Sequence, residues 1–163
     1  MPKKTEEEKQ ILLEIYKTYH DSIEKVAEKR QNANSFFLTL NTGILALIGF
    51  LFQKDAPVLL KPLYLILPII GIISGVFWLK LVNSYRQLNK GKFDVLYELE
   101  EQLPFDVYKK EWDKLGKGEN PKIYKPLTSI EEFIPKTFIV LYSLLSIYLF
   151  VVFLIEIKVI KVA

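Results

Sequence analysis

Asp94, Glu98 and Glu101 fall at i, i+4 and i+7, a spacing that sets three carboxylates on one face of a helix. Carboxylates grouped in this way can exchange protons with a substrate or hold a divalent ion. Lys90 and Lys92 lie close by, and a solvated charged face accounts for the pattern without either chemistry. A Ser-His-Asp arrangement would have to use His20, the single histidine, which sits beside Asp21 in a charged stretch and reads as a solvated side chain. The chain has no cysteine, which excludes disulfides, thiolate metal sites and thiol nucleophiles. No P-loop, dinucleotide glycine fingerprint or GxSxG motif is present. The expectation is a non-enzymatic protein with no catalytic residues, no cofactor and no metal site. Its formal charge of +3 is spread over interleaved acids and bases, so no basic stripe suited to nucleic acid arises.

The informative polar residues are instead those embedded in apolar sequence. Asn34, Asn41 and Thr42 interrupt one hydrophobic run, and Gly71, Ser74 and Gly75 interrupt a second. In a bilayer an amide facing lipid costs several kcal/mol, so Asn41 must face another helix or water. Two readings stay open for it: an interhelical hydrogen bond that serves packing, and a ring of amides lining a pore. Gly71 and Gly75 form a small-xxx-small pair of the kind that marks close helix contacts, within or between subunits. Ser143 and Ser146 read as ordinary packing serines.

These residues need long apolar helices to position them, and the chain has the material. Residues 31–53, 62–79 and 137–155 carry no charge over 23, 18 and 19 residues. A helix crosses the roughly 30 Å hydrocarbon core with about 20 apolar residues. Three membrane spans follow. The first begins too late for a cleaved signal sequence and is expected to act as an uncleaved anchor. Of the 22 Lys and Arg residues, eighteen lie in or at the margins of 1–34 and 83–132; four lie in 53–61 and beyond Ile155. By the positive-inside rule the N-terminus and central segment are cytoplasmic and the C-terminus is external, in a bacterial inner membrane. The chain then divides into a cytoplasmic helix (1–34), a transmembrane helix (35–52), an external loop (53–61) and a second transmembrane helix (62–82). A cytoplasmic helix with a cap (83–134), a third transmembrane helix (135–155) and an external tail (156–163) complete it.

Thr5 and Glu8 form a capping box, and Leu12, Tyr16, Tyr19, Ile23, Val26, Arg30, Ala33 and Phe37 follow at steps of four and three. This heptad-like seam runs into the first span, so one helix is expected from about Glu6 to Phe52. The second span likewise continues as an apolar stripe, Leu81, Tyr85, Leu88, Val95 and Leu99, to Leu103, with Lys92 as an interruption, Gly91 as a weak point and Pro104 as the stop. The two extensions can zip as an antiparallel helical hairpin carrying Arg30, Tyr85, Arg86, Asn89 and Trp112. Arg30 needs a partner on that seam: Glu98, Glu100 and Glu101 are candidates, as is snorkelling toward headgroups. Residues 105–115 read as a short amphipathic helix with Tyr108, Trp112 and Leu115 on one face; 116–126 as a loop; Thr128 and Glu131 as a second capping box.

Several strings go beyond hydropathy. Arg30-Gln-Asn-Ala33-Asn34-Ser-Phe-Phe37 leads into Leu40-Asn41-Thr42. Trp78 is followed by Ser84-Tyr85-Arg86-xx-Asn89-xxx-Phe93. Leu99-Glu100 precedes Leu103-Pro104, Tyr108-xx-Glu111-Trp112 follows, and Ile134-Pro135 opens the last span. Together, from about Ile15 to Ile155, they resemble the RipA family of octameric bacterial membrane proteins. The resemblance implies an octamer in the cytoplasmic membrane with no established enzymatic activity, and supplies no binding residues. The fold class expected is all-α: three spans, long helices extended into a cytoplasmic hairpin, and a ring-like homo-oligomer. Its partners would be copies of itself, membrane lipids and a cytoplasmic protein. A pore or channel-like assembly, a structural or adaptor protein recruiting a partner through the hairpins, and a membrane-disrupting defence effector are the functional readings.

Overall fold

The computed structural model describes residues 5–52 and 62–162, with the backbone alone for Thr128 and 156–162. The turn expected at 53–61 lies outside these residues. The described chain is all helix and connection, without a strand: α1 (Glu6–Leu51), α2 (Leu63–Glu100), α3 (Val107–Lys114), α4 (Leu127–Glu131) and α5 (Phe133–Val162). Among the described residues, three helical segments are long and apolar enough to cross a membrane, in α1, in α2 and over Ser129–Ile155. The chain separates into two compact units: a charged unit, Met1–Asn32 with Asn83–Ser129, and an apolar unit, Ala33–Val82 with Ile130–Ala163.

α1 opens with the reciprocal cap its sequence predicts. The Thr5 N–H donates to Glu8 Oε2 at 2.8 Å and the Glu8 N–H to Thr5 Oγ1 at 3.2 Å. Such a cap contributes about 1 kcal/mol by satisfying N–H groups that the first turn leaves free. Every residue of the expected α1 seam is buried or half-buried, and the same stripe continues through Asn41, Ile44, Ile48 and Leu51. α2 ends at Glu100, three residues before the expected Leu103. The Gln102 N–H bonds Leu99 O and the Leu103 N–H bonds Glu100 O, tightening the last turn ahead of Pro104.

The inner face of α2 differs from the apolar stripe predicted for it. Leu88 and Val95 are exposed, while Val82, Leu96 and Glu100 are buried. Lys92, the apparent interruption, faces α1: its Nζ donates to Ser22 Oγ at 2.8 Å and stands 4.8 Å from the Tyr19 ring centre. The long lysine stem lies along the seam while the ammonium finds a hydroxyl and a ring face. The candidate acids for Arg30 also fall elsewhere. Tyr16 Oη reaches Glu100 Oε1 at 3.2 Å, so the antiparallel register sets Glu98–Glu101 level with Tyr16. Arg30 is fourteen residues further on, roughly 21 Å at about 1.5 Å per residue, beyond the reach of a side-chain pair.

The connection after α3 makes one 3-10 turn at Gly116–Gly118, with positive φ at Gly116 (62°), Lys117 (55°) and Gly118 (70°). A Cβ on Gly118 would stand 3.0 Å from Pro126 and 3.2 Å from Trp112, so left-handed backbone and close approach both favour glycine there. α4 begins at Leu127, two residues before the start expected after a Thr128 cap, and the Thr128 side chain lies outside the described atoms. Pro135 sits in the first turn of α5, where a missing N–H is harmless.

Candidate functional site

The apolar unit is organised around Asn41. Its Nδ2 donates to Phe37 O at 2.8 Å, within α1, and to Ser74 Oγ of α2 at 3.1 Å. Its backbone carbonyl accepts from the Tyr142 hydroxyl of α5 at 2.8 Å. All three helices therefore meet at one residue, which is 0% exposed. Asn41 Oδ1 is buried and meets no donor among the described residues. Because the side chain is sealed inside its own chain, it does not reach outward toward an axis or a neighbour. An interhelical hydrogen bond of this sort contributes about 1 kcal/mol in a bilayer, where the alternative is an unsatisfied amide in hydrocarbon.

Two glycines make this approach possible. A Cβ at Gly71 would come within 2.5 Å of the Tyr142 ring, and one at Gly75 within 2.7 Å of Ile139 Cγ1. Both face α5 of the same chain. The Tyr142 ring continues into an aromatic series: it stacks on Phe138 at 6.1 Å, Phe138 tilts against Trp78 at 6.1 Å, and Trp78 stacks on Phe37 at 5.9 Å. Trp78 is buried and its Nε1–H donates to Asn34 Oδ1 at 2.8 Å, while Asn34 Nδ2 donates to Glu131 Oε1 at 3.2 Å. Asn34 thus satisfies the indole nitrogen and joins α1 to α2 and α4.

Thr42 lies apart from this cluster. It is exposed, and its Oγ1 bonds Leu38 O of its own helix at 2.8 Å. It belongs to a stripe that sequence reasoning missed: Ser35, Thr39, Thr42, Ala46 and Gly49 recur at steps of four and three, all exposed. A Cβ at Gly49 would meet nothing within 4 Å, so nothing inside the subunit requires glycine there. The outward faces of the other two spans are bulky and apolar, for example Ile69, Ile73 and Phe77 on α2 and Val140, Leu144 and Ile147 on α5. The signal was the heptad spacing of small residues, hidden by the stronger apolar seam on the same helix.

The charged unit has its own hub, Glu100, which is 1% exposed. Its carboxylate accepts from the Tyr16 hydroxyl, from the Tyr108 N–H at 2.9 Å and from the Lys109 N–H at 3.1 Å. The last two are orphan donors of the first turn of α3, whose N-cap residue Asp106 makes no side-chain cap. A carboxylate from α2 therefore caps α3, where helix-end N–H groups and the macrodipole favour negative charge. Tyr108 fixes the same helix by sharing a 2.8 Å hydrogen bond with His20 Nδ1 and by meeting Phe93 edge-on at 6.0 Å. Burial, then the Glu100 charge and hydrogen bond, push the Tyr16 hydroxyl up to about 12. Burial first and neighbouring carboxylates second also raise Tyr97 and Tyr108.

The remaining hairpin residues lie at separate places on α2 and α3. Tyr85 and Asn89 are half-buried on α2 and Arg86 is exposed. Trp112 is half-buried on α3, edge-on to Tyr124 at 6.3 Å. Asp94, Glu98 and Glu101 are all exposed, and Glu101 pairs with Lys109 at 3.2 Å. His20, Asp21 and Glu24 bring one ring nitrogen and two carboxylate oxygens within 4.8 Å of one another, with both acids exposed and the histidine engaged by Tyr108.

No curated protein and no solved structure is significantly similar to the chain. A family model does match it, across both units: with three apolar spans, a packed polar hub and residues 13–152 matching the octameric membrane protein family (8xMP), the chain belongs to that family of membrane-embedded oligomers.

Proposed function

We propose that the protein is a non-enzymatic, channel-like assembly of the bacterial inner membrane, in which α1 of each subunit turns its stripe of small and hydroxyl residues toward the ring axis. The observation that carries this reading is the contrast between faces. Ser35, Thr39, Thr42, Ala46 and Gly49 are exposed on α1, whereas the outward faces of α2 and α5 suit lipid. Uncharged hydroxyls that already bond their own helix, as Thr42 does, tolerate a narrow or intermittently wet axis. The orientation proposed is N-terminus and charged unit in the cytoplasm and C-terminus outside, supported by the eighteen-to-four distribution of basic residues.

Planar-bilayer recording of the purified protein tests the reading. A small-ion conductance is expected, reduced when Thr42 is changed to Trp while the oligomer persists. Absence of conductance in the folded octamer would sink it. An adaptor that recruits a cytoplasmic protein is the second reading, favoured by the apolar side chains the charged unit leaves exposed, among them Phe105 and Val107.

A further inference from the structure

The charged unit leaves two apolar patches open. Ile11 and Ile15 are 51% and 48% exposed on α1, one turn apart. Phe105 and Val107, 72% and 60% exposed, edge an open groove of about 550 Å³ with Lys110, Glu111 and Lys114. Lipid covers exposed apolar side chains within a span, but both patches lie in charged sequence. Glu7 and Glu14 flank the first patch; Lys114 lines the second beside Glu111 and Lys110, the latter paired with Asp106 of its own helix end. The two are thus alike in apolar character, and Glu14 and Lys114 are of opposite charge.

Their placement suits a ring. The chain belongs to an octameric family, so each subunit has two like neighbours. In cyclic symmetry all copies of a residue stand at one level along the axis, and head-to-tail patches must share that level. With the hairpin along the axis, the Tyr16–Glu100 and Glu100–Tyr108 hydrogen bonds set the start of α3 level with Tyr16, next to Ile15. The patches also face apart. At 3.6 residues per turn, Tyr16 and His20, which carry the contacts toward α3, lie roughly 140–180° around α1 from Ile11 and roughly 100–140° from Ile15. A subunit therefore offers the groove on one side and its ligand on the other, the arrangement that closes a ring.

We propose that Ile11 and Ile15 of each subunit seat in the groove edged by Phe105, Val107 and Lys114 of the next, forming a subunit interface outside the membrane spans. The occupant of the groove is a second copy of this chain. The proposal rests on family membership and is independent of whether the assembly conducts.

The absence of native cysteine makes disulfide trapping clean. In membranes containing the full chain, the double variant Ile15→Cys, Val107→Cys should give under mild oxidation a ladder of bands from dimer up to octamer. Each single variant should stay monomeric. Lys114→Glu should lower the cross-linking yield several-fold, and Glu14→Lys should restore it. Exposed positions were chosen so that helix content stays unchanged. Monomer alone from the double variant, an internal cross-link, or dimers from Ile15→Cys by itself would each overturn the proposal. The first two would mean that no copy of the chain occupies the groove, and the third that like patches meet.

Discussion

In the apolar unit the helices meet where side chains are smallest; in the charged unit they meet through an acidic and a basic side chain, each hydrogen-bonded to a neighbouring helix. Gly71 and Gly75 admit Tyr142 and Ile139, and one amide, Asn41, joins the three helices. In the other unit Glu100 and Lys92 occupy the inner face of α2, each with partners from α1 or α3. Solvent explains the contrast. Lipid offers no hydrophobic drive between helices, so close packing and interhelical hydrogen bonds carry association. Water supplies that drive, and the seam then tolerates charge provided each charged group finds a partner. The same two helices, α1 and α2, follow one rule in one half and the other rule in the other.

The largest effect on the oligomer itself is expected at Gly71. Gly71→Leu drives a side chain into the Tyr142 ring, which is held by its hydrogen bond to Asn41 O. Overpacking of this kind costs about 1–3 kcal/mol, and loss of the folded oligomer in detergent is expected by size-exclusion chromatography. Gly75→Ala, against the more adaptable Ile139 side chain, should cost less. A Gly71→Leu protein as heat-stable as the parent would break the account of the apolar unit.

Glu100→Ala should act only on the charged unit. It removes the acceptor of three donors, at about 1.5–3 kcal/mol for hydrogen bonds to a charged group. Amide exchange should accelerate at Tyr108 and Lys109 while the core around Ile44, Ile48 and Tyr142 keeps its protection. Equal acceleration in both units would show that they do not behave separately.

Alkaline titration offers a smaller, graded test. The Tyr16 hydroxyl is held near 12 against an ordinary value of 10.0 because burial and the Glu100 charge disfavour its ionised form. Its contribution to stability is complete below the ordinary value and is lost as pH rises from about 10 to about 12. Thermal melts of the charged unit should weaken across that window, and Tyr16→Phe should flatten the dependence.

The sequence was most legible where one side chain type decided the outcome. The α1 seam, the Thr5–Glu8 cap and the three spans follow from periodicity, capping chemistry and length. Legibility failed where polar residues did apolar work. Counting only apolar positions assigned Leu88 and Val95 to the inner face of α2, yet Lys92 and Glu100 are there because α1 and α3 supply Ser22, the Tyr19 ring and two backbone N–H groups. Those partners are distant in sequence and invisible to a local pattern. The stripe through Ser35 and Thr42 was legible in principle, but small residues weigh little beside leucines on a hydropathy scale.

The central claim is that α1 has two polar faces within its span: one closed on its own chain at Asn41, the other open at Thr42. Labelling with a water-soluble maleimide in intact membranes tests it directly, because the parent protein has no thiol to react. Thr42→Cys should be labelled and Asn41→Cys protected. Protection of both, or labelling of Asn41→Cys with Thr42→Cys silent, would contradict the account.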